Sequence, residues 1–363
     1  MKPRWLHPLP VVVATVIGFQ LATAAAGKSY YLTQMTMAVY YAVVAVGLSL
    51  VMGYAGQISL GHGAFFAMGG YISALLTTHD LAAWKTAGWV RWLEGMGVLV
   101  VRPNLYEVGD LLTVAPWAAF GAALAVTGGV AVVIGFPSLR LKGLYLAMAT
   151  LGFGLIVYRI VLGNRLLGAA DGITGVPEWS LGFGLSVSGR SGVRVSNYYL
   201  AWALALGVVV LLQNIVGSRV GRALRAIHDR ETAANAMGVN TARVKLQAFV
   251  VSAVLAAAAG SFLTHYNQGI GPSEASALKS VRYVALVAAG GMANLWGTLL
   301  VSTALNFLSL RGYFGTYDHA VFGVLLIVII ALAPEGPLRP LGEAMRRAWR
   351  SVSGGKEAGR GAA

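Results

Sequence analysis

Residues Arg219–Lys245 read RVGRALRAIHDRETAANAMGVNTARVK, a basic stretch between two long apolar runs, Tyr198–Gly217 and Leu246–Tyr266. Six Lys/Arg stand against two acids, the bias of a cytoplasmic loop in a membrane protein. Within it, Asp229 is a candidate N-cap for a short helix with Glu231 in its first turn, and Gly238 is placed to end that helix in a left-handed conformation. The helix is about two turns long. Ala233, Ala234 and Met237 recur at three- and four-residue spacing, so the expectation is one face of small apolar groups and an adaptable Met, suited to a partner's groove. An amphipathic connector lying on the lipid surface is the other reading of the same residues.

Composition agrees with a bilayer as the main solvent. Of 363 residues, 57% are hydrophobic and 11% charged, against about 25% charged in a soluble domain. The net charge of +14 raises nucleic acid as a partner, but the basic residues sit in short connections between apolar runs rather than on one patch, so no nucleic acid is expected. There is no cysteine, which removes disulfides, thiol chemistry and Cys-ligated zinc; His is too scattered for a metal cluster.

Leu9–Ala26, preceded by Lys2 and Arg4, has the apolar core and the small residues Ala24 and Ala26 of a cleavable signal peptide, yet in a polytopic chain it reads as a first crossing. The octet ATAAAGKS, Ala22–Ser29, mimics a phosphate loop with Ala for the first Gly. It ends a membrane span instead of joining a strand to a helix, so no nucleotide site is expected there. From Ser29 to His79 there is no Asp, Glu, Lys or Arg, enough chain for two crossings of about 20 residues. Their junction, GYAGQISLGHGAF (Gly53–Phe65), sets Tyr54, Gln57, Ser59 and His62 among four glycines. Polar groups and irregular backbone persist at membrane depth only where protein or a wet cavity satisfies them. The junction is therefore either a helix seam or a pathway wall.

Thr78–Asp110, with Trp84, Trp89 and Trp92 and four acids against three Lys/Arg, reads as an external loop with interfacial aromatics. Leu111–Leu139 is a crossing, and Arg140 and Lys142 mark the inside again. Gly143–Leu162 is the next, followed by a polar external segment, Asn164–Asn197, in which Asp171, Gly172, Thr174 and Gly175 build turns or a docking surface. Val281–Leu310 is too long for one span and breaks near Gly290–Gly297; Ala320–Ala333 is the last crossing, stopped by Pro334 and Pro337. The fold class is thus all-α: a polytopic membrane protein of about ten transmembrane helices, some broken, with a cytoplasmic coupling helix. Residues 1–340 form the transmembrane domain, 219–245 its coupling loop and 341–363 a basic cytoplasmic tail, with both termini inside.

The loop first quoted, with Glu231, Ala233, Ala234 and Gly238 at their spacing, resembles the EAA coupling loop of ABC-transporter permeases. The string GYAGQISLGHGAFFAMGGY from Gly53, the stretch AADGITGVP (Ala169–Pro177) and the GGM of Gly290–Met292 are similar to branched-chain amino acid permeases of the LivM type. The resemblance runs from about Tyr31 to Pro340. It implies a non-enzymatic transport subunit in the inner membrane, working by alternating access. It also implies a second homologous permease (LivH-like), two ATPase subunits (LivG/LivF-like) that carry ATP–Mg while this chain binds no cofactor, and a substrate-binding protein.

On that resemblance the helix from Asp229 to Gly238 docks on an ATPase, Gly53 to His62 lie beside the translocation path, and the Asp171 region meets the binding protein. Two positions depart from the family, which often carries acids where this chain has Leu155 and Arg282. Urea, amides, or aromatic and other carboxylates therefore stand beside branched-chain amino acids as solutes. A secondary transporter or channel is the reading from another class, and the scarcity of membrane-buried acids to bind a coupling ion counts against it. A membrane enzyme ranks last, because no nucleophile–base set or metal spacing is present.

Overall fold

The computed structural model describes residues 8–332 apart from 86–87, 104–109, 142, 183 and 313–316. The first apolar run is α1 (Pro8–Ala25), pinned to the body by a hydrogen bond from Tyr198 to the Val16 carbonyl, 3.0 Å. The charge-free run that follows gives α2 (Tyr30–Ser49), a wider π-helical turn at Leu50–Tyr54, an irregular stretch and then α3 (His62–Thr78). The acidic segment holds α4 (Gly88–Gly95) and a hairpin of β1 (Leu99–Pro103) with β2 (Asp110–Val114), in register Leu99 to Val114 and Pro103 to Asp110. Next come α5 (Pro116–Ser138), whose first residue is a Pro that removes no needed donor, and α6 (Leu144–Gly163).

The polar segment after α6 carries β3 (Ile173–Thr174), β4 (Trp179–Gly182) and β5 (Leu185–Val187). Then follow α7 (Arg194–Gly217), α8 (Arg219–Ala236), α9 (Thr241–Asn267), β6 (Gly269–Ile270), α10 (Ala277–Gly290), α11 (Leu295–Leu310) and α12 (Asp318–Leu332). β4 pairs with β5, and β3 with the distant β6, both antiparallel.

α2 is apolar on every side and buried on every side, with α7, α9, α10 and α11 around it, as expected of a helix at the centre of a bundle. α3 and α9 approach closely through small residues. A Cβ on Gly69 would lie 2.1 Å from the Ala257 carbonyl oxygen, and one on Gly260 would lie 1.9 Å from that of Phe66. Small residues that let backbones meet are how helices gain packing energy in a bilayer, where no hydrophobic drive favours association.

The chain is mainly helical, and among the described residues the polar segments outside the apolar runs add three two-stranded ladders to the expected helices. Among the described residues six helical spans are long and apolar enough to cross a membrane: α1, α2 with its π turn, α5, α6, α7 with the short turn before it, and α9. The other four expected crossings are α3, α10, α11 and α12, of 17, 14, 16 and 15 residues. One expectation is corrected, the start of the helix expected to couple. It does not start at Asp229: α8 starts at Arg219, capped by the Ser218 hydroxyl on the Val220 amide, and is interrupted only at Arg230 (φ −152°, ψ 100°). Arg230, not Asp229, therefore holds the cap position, and Glu231 opens the final short helix. The expected break near Gly290–Gly297 is present, as the turn between α10 and α11. The 341–363 tail, together with Lys2, Arg4, Lys142, Pro334 and Pro337, lies outside the described residues.

Candidate functional site

The Gly53–Phe65 stretch leaves α2 through the π turn and climbs back into the bundle as non-helical chain before α3 begins. How far it climbs follows from its partners. His62, the first residue of α3, contacts the Ser252 hydroxyl through Nε2 at 2.7 Å, and Ser252 is eleven residues past Thr241 at the start of α9. At 1.5 Å per residue that is about 17 Å along α9, near its midpoint. α3 thus starts deep in the bundle, and residues 55–61 form a re-entrant segment.

Backbone groups without helical partners must be satisfied inside the protein at this depth. The neighbouring hydroxyls do so. The Leu60 amide donates to Thr150 Oγ1 of α6 at 2.9 Å, and the Gly63 amide to Ser280 Oγ of α10 at 3.2 Å. Ser59 Oγ meets His62 Nδ1 at 3.1 Å, so the fully buried imidazole is held on both nitrogens. Phe65 and Phe249 stand edge-on to its ring. Ser59 and His62 thus bond within the re-entrant segment and across to α9.

Gly53 and Tyr54 grip the second discontinuity. A Cβ on Gly53 would fall 1.5 Å from the Met292 carbonyl oxygen, and the Tyr54 hydroxyl donates to the Ala293 carbonyl at 2.7 Å. The π turn at the end of α2 is therefore locked to the α10–α11 break. Gly56, at φ +67°, brings the chain against α8: a Cβ there would be 2.8 Å from His228 Nδ1.

Gln57 differs from its neighbours. It is 5% exposed, and neither its Nε2 nor its Oε1 has a hydrogen-bond partner among the described residues. It lines a cavity of about 350 Å³ whose other walls include His228, Arg230, Glu231, Thr232 and Lys245. Lys245, itself buried, forms an ion pair with Glu231 at 2.5 Å. The cavity thus joins the re-entrant segment to the last turns of α8 and the first of α9, and Gln57 lines it.

In the final short helix of α8 the expected single face is split. Ala234 is buried and continues the inward line of Leu224 and Ile227, whereas Ala233 is exposed and Met237 is 85% exposed. Asp229 is exposed. Gly238 has φ +83°, and the Gly238 and Val239 amides close on Asn235 and Ala234, a left-handed helix end.

In the polar segment, Gly172 and Gly175 have φ of 75° and 74° and shape the turns around β3. Asp171, Thr174 and Gly175 are exposed. β3 is the partner of β6, so this outer surface is tied directly to the chain that follows α9.

That following chain contains residues the sequence reading missed. After β6 it passes through a short turn, Pro272–Ala275, into α10. Glu274 Oε1 pairs with Lys279 Nζ at 2.5 Å and accepts from the Tyr41 hydroxyl at 3.0 Å. Tyr41 is eleven residues past Tyr30, about 17 Å along α2 and roughly half-way down it. An ion pair therefore sits about midway through the bundle. The available signal was a Pro beside an acid, Pro272 and Glu274, between two apolar helices. Of the two departures, Leu155 is 44% exposed on the outer side of α6, away from these cavities, whereas the Arg282 guanidinium lies over the Phe322 ring at 4.1 Å.

The family model described as "Branched-chain amino acid transport system / permease component" matches residues 30–330. The high-affinity branched-chain amino acid transport system permease protein LivM of Salmonella typhimurium is 29% identical over 324 residues, covering 84% of this chain and 68% of that relative. LivM of Escherichia coli is 28% identical over the same shares. The LivH permease of Escherichia coli is 25% identical, covering 85% of this chain and 96% of its own length. No solved structure gives a significant match.

Proposed function

The chain belongs to the branched-chain amino acid transport system permease family, and from that premise we propose that it is one of two permease subunits of an ABC importer, moving branched-chain amino acids inward. It is a multi-pass membrane protein and not itself an enzyme. In this reading ten helices cross the inner membrane, namely α1 to α3, α5 to α7 and α9 to α12, with both termini in the cytoplasm. A LivH-like second permease completes the path, two LivG/LivF-like subunits bind ATP–Mg, and a substrate-binding protein docks on the surface around Asp171, Thr174 and Gly175.

The observation that carries the proposal is the cavity between Gln57 and α8. Ala233 and Met237 face outward for an ATPase groove, and the same short helix is tied inward by Glu231 to Lys245. A push on that helix therefore reaches α9 and, through His228 against Gly56, the re-entrant segment. Alternating access needs such a link between the energy source and the broken helices.

The test is uptake of L-leucine into vesicles holding this chain with and without its partner permease and ATPases. Uptake is expected only with the full set and ATP. Uptake sustained by this chain alone on an ion gradient would reject the importer reading in favour of a secondary transporter.

A further inference from the structure

Resting on the importer reading, we propose that Glu274, Lys279 and Tyr41 form a recognition point for a zwitterionic α-amino acid about midway through the membrane. Charged side chains at that depth are costly and are kept mainly where they serve a pathway. Here the pair is only partly covered: the Lys279 and Glu274 side chains are 27% and 15% exposed. Lys279 and Arg282 both lie in the wall shared by two cavities, of about 390 Å³ and 260 Å³. The Lys279 ammonium is held over the Tyr41 ring, 4.5 Å from the centroid, as well as by Glu274. Glu274 Oε2 has no hydrogen-bond partner among the described residues, and neither do the hydroxyls of Tyr71 and Tyr283.

A zwitterion suits this arrangement for an electrostatic reason. In a low-dielectric interior a lone charge is strongly penalised, so a ligand enters at low cost only if every charge stays partnered. An α-amino acid exchanges one internal ion pair for two intermolecular ones, its carboxylate on Lys279 and its ammonium on Glu274, with no change in net charge. A carboxylate without an ammonium leaves Glu274 alone when it takes Lys279, and Arg282, in the same walls, is the cation it would meet without breaking the pair. Urea offers neither charge. The apolar wall of the larger cavity, Leu278, Val281, Ala285 and Phe322, matches an aliphatic side chain.

The test uses the whole importer in proteoliposomes, with its binding protein and ATP on the ATPase side. If the wild-type complex moves no L-leucine, the importer reading itself falls. Where it does, Glu274→Gln and Lys279→Met are each expected to lower leucine uptake about tenfold, the effect of losing one charged hydrogen bond. Unchanged uptake in both overturns the proposal. The double variant Glu274→Lys with Lys279→Glu is expected to recover complex yield but not uptake; recovery of both means a purely structural pair and also overturns it. A wild-type measurement covers any variant that does not fold. L-leucine is expected to raise the thermal midpoint of the detergent-solubilised complex in the absence of binding protein, and 4-methylpentanoate, 3-methylbutylamine and urea are not. An equal rise with any of these three, or none with leucine, overturns the proposal.

Discussion

Replacing Gly53 by Ala tests the junction on which the re-entrant segment hangs. The added Cβ would lie 1.5 Å from the Met292 carbonyl oxygen, 2.3 Å from its carbon and 2.9 Å from the Ala293 nitrogen. All three are backbone atoms, so no rotamer change relieves the clash. Reaching an ordinary non-bonded distance requires the π turn and the α10–α11 break to part by roughly 1.5 to 2 Å. Overpacking of this kind costs about 1 to 3 kcal/mol. The parting also breaks the 2.7 Å Tyr54 to Ala293 hydrogen bond, for a further 0.5 to 1.5 kcal/mol or so. The expected loss is therefore about 1.5 to 4.5 kcal/mol, read as a lower thermal midpoint and lower yield of the solubilised protein. Gly207→Ala is the control: its Cβ meets nothing within 4 Å on α7, so the variant should be neutral or up to about 1 kcal/mol more stable. Wild-type stability in Gly53→Ala, with Gly207→Ala behaving as stated, would refute the close approach of the two breaks.

Three further outcomes follow from neighbouring residues. Gln57→Leu removes an amide that has no hydrogen-bond partner among the described residues, so thermal stability should hold or rise, by up to about 2 kcal/mol, while leucine uptake by the assembled complex changes; a loss of stability with normal uptake would assign Gln57 to a helix seam. His62→Asn gives up the bridge between Ser59 and Ser252 and the two ring contacts, so yield and thermal midpoint should fall by the equivalent of about 2 kcal/mol or more before uptake per assembled complex is affected. Gly238→Val has open space for its side chain but must hold φ +83°, so the cost is strain alone, about 1 to 2 kcal/mol, and co-purification of the ATPases should drop; full recovery of ATPase with this variant would reject the cap as a docking requirement.

The irregular stretch was legible because Gln57, Ser59, His62 and four glycines interrupt a run without charge, and such a pattern has few physical explanations in a bilayer. Its depth was not legible. Depth depends on which helix residue each polar group meets, and Ser252 and Ser280 carry no mark of that in the sequence. The short helix ahead of Gly238 was legible, but its cap was placed one residue early: Asp229 is the better cap by side-chain chemistry, yet Arg230 is the residue with non-helical backbone. Ala234 was assigned to the outer face because it lies three residues from Met237, yet the adjacent Ala233 and Ala234 stand about 100° apart around a helix, enough to set one outward and the other inward. The β1–β2 hairpin was missed because the loop was read for its charges and tryptophans, although LVVRP and DLLTV are rich in strand-forming residues. Glu274 and Lys279 were passed over because they fall in a short gap between two apolar runs, where a charge pair normally marks a membrane surface. Only the return of the chain from β6 into the bundle sets them at half depth.

One short stretch therefore connects all the parts. Between Gly53 and Gly63 it is held by Met292 and Ala293 at one end and by Thr150, Ser252 and Ser280 at the other, with His228 of α8 against its middle. The Gly63 to Ser280 bond adjoins Lys279, so the far end of the stretch is one residue from the midplane ion pair. If both ends are fixed, a displacement of α8 has to be absorbed between them, in residues 55–61. Gly56 is the residue there already in the left-handed region, and its freedom from Cβ sterics makes it the point at which the backbone can turn at least cost. A stroke delivered at α8 would thus widen or close the Gln57 cavity first and reach Ser280 second, an order that places the opening on the side of α8 before any change at the midplane pair.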